Sequence, residues 1–109
     1  MPVKFADHHD ISPVAPCPGV QRCTTVWGKD LMLLYNTFRA GAAFPEHAHP
    51  EEQITYVLSG KLIVSAEGQT YALTAGQCLL FPADVPHGLT AQEDTVVLDL
   101  FSPPREDFK

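Results

Sequence analysis

Three histidines and a glutamine are the residues of this chain whose types and spacing could do chemistry. His47 and His49 stand two positions apart, Gln53 follows shortly after, and His87 comes 38 residues beyond His49. Residues i and i+2 of an extended strand point to the same side. Imidazole is the commonest metal-binding side chain and suits Zn, Cu, Fe and Ni. The spacing therefore predicts a metal site that His87 completes by folding back onto the first two histidines.

Two glutamates compete with Gln53 for the fourth ligand position. Glu51 follows Pro50 and is expected in the turn, whereas Glu52 has the opposite strand parity from Gln53. A carboxylate is chemically the better ligand, so chemistry and parity disagree about Glu52. We favour Gln53, because Val57 would then line the interior on the same side of the strand.

Length and composition limit the classes of function. The chain has 109 residues, 45% of them hydrophobic, which predicts one small domain with a single core. The net charge of −6 and the absence of a Lys/Arg cluster argue against a nucleic-acid partner. No run approaches the ~18 apolar residues that span a bilayer. Residues 1–10 lack a signal-peptide pattern, so we expect a cytoplasmic protein with no membrane partner.

The chain reads as many short strands joined by tight turns. Ten prolines and seven glycines are spread along it, and no segment shows a helical period. We expect an N-terminal arm at 1–19, a single β-barrel domain at 20–109, and a four-residue hairpin loop at 66–69. About nine strands of this kind predict an all-β sandwich or barrel. The predicted strands are 20–27, 31–38, 44–49, 53–58, 61–65, 70–73, 77–81, a segment that His87 opens, and 95–101.

The three cysteines and the other two histidines are expected to have no role in catalysis or metal binding. Cys17, Cys23 and Cys78 are odd in number and lack CxxC spacing, which favours free thiols over disulfides or thiolate ligands. His8 and His9 are adjacent, so they cannot share a strand face, and we interpret them as solvent residues.

The order of these residues resembles the two motifs of the cupin family. The first motif usually has glutamate where this chain has Gln53, and the second usually has glycine at the position of Asp84 and a later asparagine that is missing here. The resemblance covers about residues 30–104 and implies a cupin jelly-roll barrel with His47, His49, Gln53 and His87 as metal ligands. The matching residues are Gly41, His47, His49, Gln53 and Gly60, then Gly76, Pro82, Pro86 and His87.

The C-terminal stretch at 96–108 is similar to the end of the KdgF-type cupins of pectin and alginate breakdown. This narrower resemblance implies an enzyme that converts 4,5-unsaturated monouronates into linear ketonized sugar acids. It also implies catalytic roles for Asp99, Phe101 and Arg105.

Asp99 has independent support from the strand pattern. It interrupts an apolar strand and shares a face with Val97 and Phe101. A carboxylate inside a barrel costs free energy unless it is paired, hydrogen-bonded or near a cation, and a metal would supply that cation. In the alternative register Asp99 faces solvent. Arg105 is either a solvated tail residue or a bidentate carboxylate binder.

The charges of the ligand set bear on the reaction. Three neutral imidazoles and a neutral amide leave a divalent metal such as Zn, Ni, Mn or Fe with its full charge, which favours Lewis-acid chemistry. Iron enzymes of the facial-triad type carry a carboxylate ligand instead. The leading hypothesis is a metal-dependent enzyme acting on an unsaturated uronate. The alternatives are a cupin dioxygenase, isomerase or lyase, or a non-catalytic sugar- or metal-binding module.

A homodimer is expected on weaker grounds. Open sheet edges invite pairing, and the N-terminal arm is long enough to lie across a neighbour. The alternative is an arm that folds onto its own barrel.

Overall fold

Ten strands form two antiparallel sheets in the computed structural model, which describes residues 2–109. The six-stranded sheet has the order β1-β2-β3-β10-β5-β8, and the four-stranded sheet has the order β4-β9-β6-β7. Short 3₁₀ turns cover His8–Asp10 and Glu106–Phe108. The predicted all-β jelly-roll architecture is confirmed. The strands are β1 Val14–Cys17, β2 Val20–Trp27, β3 Met32–Phe38, β4 Ala43–His47, β5 Glu52–Ser59, β6 Lys61–Ala66, β7 Gln69–Thr74, β8 Cys78–Phe81, β9 His87–Ala91 and β10 Thr95–Ser102.

The inner faces of the two sheets enclose two groups of apolar side chains, a small one of Met32, Leu34 and Phe101 and a larger main core. Val57 and Val97 of the larger sheet and Leu62 and Val64 of the smaller sheet are fully buried in it. Alternation along β3, β5 and β10 brings every second residue inward, as the period of a strand requires. Between the two groups the inward residues are polar, because Asn36 lies between Leu34 and Phe38 on β3 and Asp99 follows Val97 on β10. This polar band carries the candidate site.

The N-terminal arm contributes a strand that the sequence did not predict. Val14–Cys17 forms β1 and pairs with β2 of the same chain at the edge of the larger sheet. Pro16 is compatible with this place, because an edge strand has backbone positions that need no ladder hydrogen bond. Ahead of β1, His8 stacks on Tyr35 with ring centroids 3.7 Å apart, so His8 is not a simple solvent residue.

The hairpin between β6 and β7 is tighter than predicted. Ala66 pairs directly with Gln69, which leaves a two-residue loop of Glu67 and Gly68. Both loop residues have positive φ values, 52° and 73°. This is the pattern of a type I′ turn, whose twist matches that of the strands it joins.

Other features of the chain lie away from the site. Cys17, Cys23 and Cys78 are free thiols, as predicted. Across residues 2–109, no helix has the length and apolar character that crossing a membrane requires.

Candidate metal centre and adjoining cavity

The structure brings the three predicted histidines together beside the polar band inside the barrel. His47 ends β4 and His87 begins β9, and the two residues are paired in the ladder between these strands. His49 lies in the loop that follows β4. One imidazole nitrogen from each of the three residues lies within 4.8 Å of the other two. Pairing of β4 with β9 thus performs the fold-back that the sequence required.

Backbone carbonyls fix the tautomer of all three rings. In each ring Nδ1 lies 2.9 Å from the carbonyl oxygen of a residue two positions away. A carbonyl can only accept, so Nδ1 donates its hydrogen and Nε2 is left with a free lone pair. Metal-binding histidines are commonly oriented by such second hydrogen bonds. The pairs are His47 with Pro45, His49 with Glu51, and His87 with Val85.

The Nε2 atom of His87 is buried and has no hydrogen-bond partner among residues 2–109. Burial lowers the pKa of His87 below its ordinary value, and the hydrogen bond to Val85 opposes this shift only in part. A neutral imidazole with a buried, unpartnered lone pair is costly unless a cation accepts it. The site therefore fits a bound metal ion on its own chemistry.

Gln53 turns its amide oxygen toward the histidines. Its Nε2 donates to Thr55 Oγ1 at 2.9 Å and to Asp99 Oδ1 at 3.1 Å, which leaves Oε1 2.9 Å from the Nε2 atom of His49. With these hydrogen bonds, the amide oxygen and the imidazole nitrogen both present lone pairs. A cation bound by both atoms would turn a repulsive contact into two ligand bonds.

The two glutamates lie elsewhere. Glu52 is exposed at the start of β5, on the opposite face from Gln53. Glu51 places a carboxylate oxygen 3.5 Å from Nε of Arg105 and 3.6 Å from Nδ1 of His49. Neither carboxylate faces the side of the imidazoles that is free for a metal. The set His47, His49, Gln53 and His87 would hold a divalent ion through three nitrogens and one oxygen.

The loop ahead of His87 is tied to the first motif. The backbone N–H of Asp84 donates to the carbonyl oxygen of His49 at 2.8 Å. Asp84 adopts a φ of 66°, in the left-handed region that glycine favours and that aspartate tolerates better than most residues. This accounts for the substitution of a glycine that the second cupin motif usually carries.

Asp99 faces the interior, the favoured of the two registers that strand alternation allows, and is 7% exposed. Its carboxylate accepts hydrogen bonds from Asn36 Nδ2 at 2.6 Å, from Thr55 Oγ1 at 2.5 Å, and from the Gln53 amide. Burial raises the pKa of Asp99 above its ordinary value, while these hydrogen bonds oppose the rise. The carboxylate is thus held rigidly beside one of the candidate metal ligands.

Asn36 and Thr55 are site residues that sequence reasoning did not assign. Asn36 interrupts the buried face of β3 between Leu34 and Phe38, just as Asp99 interrupts that of β10. That parallel was the available signal, since a buried amide needs a partner. Its partner across the sheet is the Asp99 carboxylate.

A cavity of about 290 Å³ opens over this polar cluster. Small-molecule sites typically measure about 300 to 1,000 Å³, so this volume suits a ligand the size of a monosaccharide. We call the polar group His47, Gln53, His87 and Asp99, most of it buried, the floor of the cavity, and the partly exposed group Arg22, Arg105 and Phe108 its mouth. The apolar lining between them includes Phe38, Phe44, Leu89 and Phe101.

Arg105 is part of the cavity mouth and not a solvated tail residue. Its side chain is only 16% exposed and pairs with Glu51 and with Asp107, the latter at 3.3 Å. Its guanidinium lies 5.4 Å from the ring centre of Phe101, and that ring meets the imidazole of His49 edge to face at 5.5 Å. Phe101 therefore connects Arg105 to the imidazole cluster.

Comparison with known proteins agrees with this description. The cupin domain family matches residues 34–101. The pectin degradation protein KdgF of Dickeya dadantii is 35% identical over 92 residues, which cover 83% of this chain and 84% of that protein.

Solved structures give the same result at the level of the fold. KdgF from a Halomonas species superposes with a TM-score of 0.94 at 34% identity, covering 99% of this chain and 100% of the other. An RmlC-like cupin from Shewanella frigidimarina superposes with a TM-score of 0.92 at 30% identity, covering 99% and 97%. The chain is therefore a small cupin, and within that family it is similar to the KdgF proteins over nearly all of its length.

Proposed function

We propose that this protein is a metal-dependent enzyme that converts 4,5-unsaturated monouronates into linear ketonized sugar acids. One observation carries the proposal: a buried carboxylate, Asp99, is hydrogen-bonded to a candidate metal ligand, Gln53, on the floor of a sugar-sized cavity. Similarity to a pectin degradation protein supports a sugar acid as the substrate. On this proposal the partner is a small molecule and the enzyme acts in the cytoplasm.

Four neutral side chains would hold the metal. His47, His49, Gln53 and His87 add no charge of their own, so a bound Zn, Ni, Mn or Fe ion would supply strong Lewis acidity toward a sugar oxygen. The chain's contribution is to fix the direction of each donor. Backbone carbonyls orient the imidazoles, and Thr55 and Asp99 orient the amide.

Asp99 is proposed to move the proton. Opening the sugar ring takes a proton from the anomeric hydroxyl and gives one to the ring oxygen, which becomes the oxygen of an enol. Ketonization then moves a proton from that oxygen to C4, so the whole conversion is an isomerisation. A carboxylate that can both accept and return a proton suits each step. Asn36 and Thr55 keep it in place between transfers.

Arg105 and Phe101 are proposed to position the substrate. Arg105 presents a guanidinium at the cavity mouth, and such a group binds carboxylates through two parallel hydrogen bonds. Its ion pair with Glu51 restrains the side chain. The Nε atom of Arg105 lies 3.5 Å from Oε1 of Glu51, and both side chains are largely buried. The ring of Phe101 forms a wall against which one face of a sugar can pack.

Product identification tests the proposal. The metal-loaded protein is incubated with the pectin-derived or the alginate-derived unsaturated monouronate, and proton NMR follows the vinyl proton of the sugar. We expect the vinyl signal to decay faster than in a sample without enzyme, with the linear keto product appearing in step. Because the sugar also converts spontaneously, equal decay in both samples for both sugars would overturn the proposal.

The homodimer remains a prediction, and the edges of both sheets are where pairing would occur. β1 and β8 are the edge strands of the larger sheet, and β4 and β7 are those of the smaller one. β1 lies along β2 of its own chain, so it leaves its outer edge for a second copy. Size-exclusion chromatography with light scattering measures the mass in solution directly.

A further inference from the structure

Arg22 is a cavity residue to which neither the metal centre nor the proton transfer assigns a role. It lies in β2, directly across the ladder from Asn36, the residue that holds Asp99. Its side chain lines the mouth of the cavity together with Arg105 and Phe108. A cation in this place is close to the candidate chemistry without taking part in the polar network on the floor.

The charge of Arg22 has no counter-ion of its own. In the described part of the chain, no carboxylate forms an ion pair with it, whereas Arg105 pairs with both Glu51 and Asp107. Burial lowers the pKa of Arg22, Asp107 raises it, and the nearby charge of Arg105 lowers it again. Arginine nevertheless stays protonated, so the mouth carries one guanidinium with two ion-pair partners and a second, that of Arg22, which Asp107 influences only from beyond ion-pair distance.

Phe108 holds both guanidinium groups in place. The guanidinium carbon of Arg22 lies 4.0 Å from the ring centre of Phe108, and that of Arg105 lies 4.1 Å from it. Cation–π contact restrains a long side chain while leaving its N–H groups at the edge free to donate. Two like charges on one ring repel each other, and an anion bound at the mouth would relieve that repulsion.

We propose that Arg22 is a second guanidinium that binds the carboxylate of the substrate alongside Arg105. The proposal rests on the proposed function, since it takes the substrate to be a uronate. It assigns selection for an acidic sugar to the pair of arginines at the mouth, with Arg22 supplying the guanidinium that forms no ion pair with a protein carboxylate. On this proposal the metal centre and Asp99 do not bind the substrate carboxylate.

Binding of a sugar that cannot react tests the inference. D-galacturonate lacks the double bond of the substrate, and D-galactose is its neutral counterpart. Dissociation constants of both sugars for the metal-loaded protein are measured by NMR titration for the wild type, Arg22→Gln and Arg22→Lys. Arg39→Gln is the matched control, because Arg39 is exposed in the turn after β3 and is outside the cavity.

We expect Arg22→Gln to weaken galacturonate binding by about 10-fold or more, the usual effect of losing a charge-assisted hydrogen bond. The galacturonate dissociation constant of Arg22→Lys should lie between those of Arg22→Gln and the wild type, because lysine keeps the positive charge and loses the planar set of N–H donors. Galactose binding should not change in either variant, and Arg39→Gln should match the wild type for both sugars.

Two results would overturn the inference, and they differ in what else they overturn. If the wild type prefers galacturonate and both Arg22 variants bind it equally well, the inference fails while the proposed function stands. If the wild type shows no preference for galacturonate over galactose and does not accelerate uronate conversion, both fail together. Thermal melts show whether Arg22→Gln is folded. If Arg22→Gln is not folded, galacturonate binding by Arg22→Lys tests the inference instead.

Discussion

The Nε2 atom of His49 lies 2.9 Å from the Oε1 atom of Gln53, and the hydrogen bonds made by both side chains leave no proton between the two atoms. The imidazole has used its N–H on the Glu51 carbonyl, and the amide has used its NH₂ on Thr55 and Asp99. Two lone pairs therefore face a common point. This relationship makes Gln53, a neutral residue where most cupins have glutamate, a credible ligand.

Gln53→Ala should release the metal more readily than wild type, because it removes an oxygen donor and leaves the His49 lone pair without its neighbour. The adjacent Glu52→Ala provides the control, since Glu52 is exposed on the other face of β5. Metal retention during dialysis against a weak chelator, measured by mass spectrometry of the metal, separates the two. Greater metal loss from Glu52→Ala than from Gln53→Ala would show that Glu52, and not Gln53, is the metal ligand.

His87→Ala should contain little metal after purification. The substitution removes the buried nitrogen that has no hydrogen-bond partner in the described residues, and it leaves two imidazoles and an amide. Loss of one ligand or its supporting shell commonly costs about 10- to 100-fold or more in metal affinity. Thr90→Ala is the matched control, because Thr90 is exposed on β9, the strand that His87 begins. Equal metal content in both variants and the wild type would contradict the assignment.

Local rules allowed much of the site to be predicted from the sequence. Alternation along a strand fixes which residues share a face, so Gln53 was grouped with Val57, and Asp99 with Val97 and Phe101. The inward direction of Asp99 was favoured because a bound metal would supply the cation that a buried carboxylate needs. The convergence of His87 with His47 and His49 followed from the need of separated histidines to meet at one metal. Residue types and spacing carry these facts without any knowledge of the tertiary contacts.

The rest depends on contacts between distant segments. Asn36 is an odd polar residue in β3, and only the placement of β3 beside β10 shows that it supports Asp99. The sequence around Arg22 gave no sign that this residue lines the cavity. Its contact with Phe108 forms only because the C-terminal tail returns to β2. β1 was missed because a proline-rich segment has weak strand character, and its pairing with β2 outweighs that propensity.

Asp99→Asn should leave metal content unchanged and lower turnover by roughly 10²-fold or more, the usual range for general acid–base catalysis. Asparagine keeps the shape of the side chain and removes the group that exchanges a proton. The effect should be on kcat, with metal content measured on the same sample. Turnover within a few-fold of wild type at full metal content would exclude Asp99 as the group that moves the proton.

Arg105→Lys should mainly raise KM. Lysine keeps the positive charge, while it loses the planar fork that binds a carboxylate through two hydrogen bonds and that contacts Phe101 and Phe108. A rise in KM without a change in kcat indicates the loss of an interaction that is equally strong in the enzyme–substrate complex and in the transition state. Initial rates over a range of substrate concentrations provide the test. An unchanged KM together with a large fall in kcat would point to a role in the reaction step instead.

The central claim is that the metal centre of this cupin acts on unsaturated uronates. Its most direct test is the initial rate at which the ultraviolet absorbance of a 4,5-unsaturated monouronate is lost. The rate is measured with metal-loaded enzyme, with the same enzyme after chelation, with the chelated enzyme after the metal is returned, and with no enzyme. The account predicts a rate above the no-enzyme control that chelation abolishes and the metal restores. Rates equal to the no-enzyme control in every sample would contradict it.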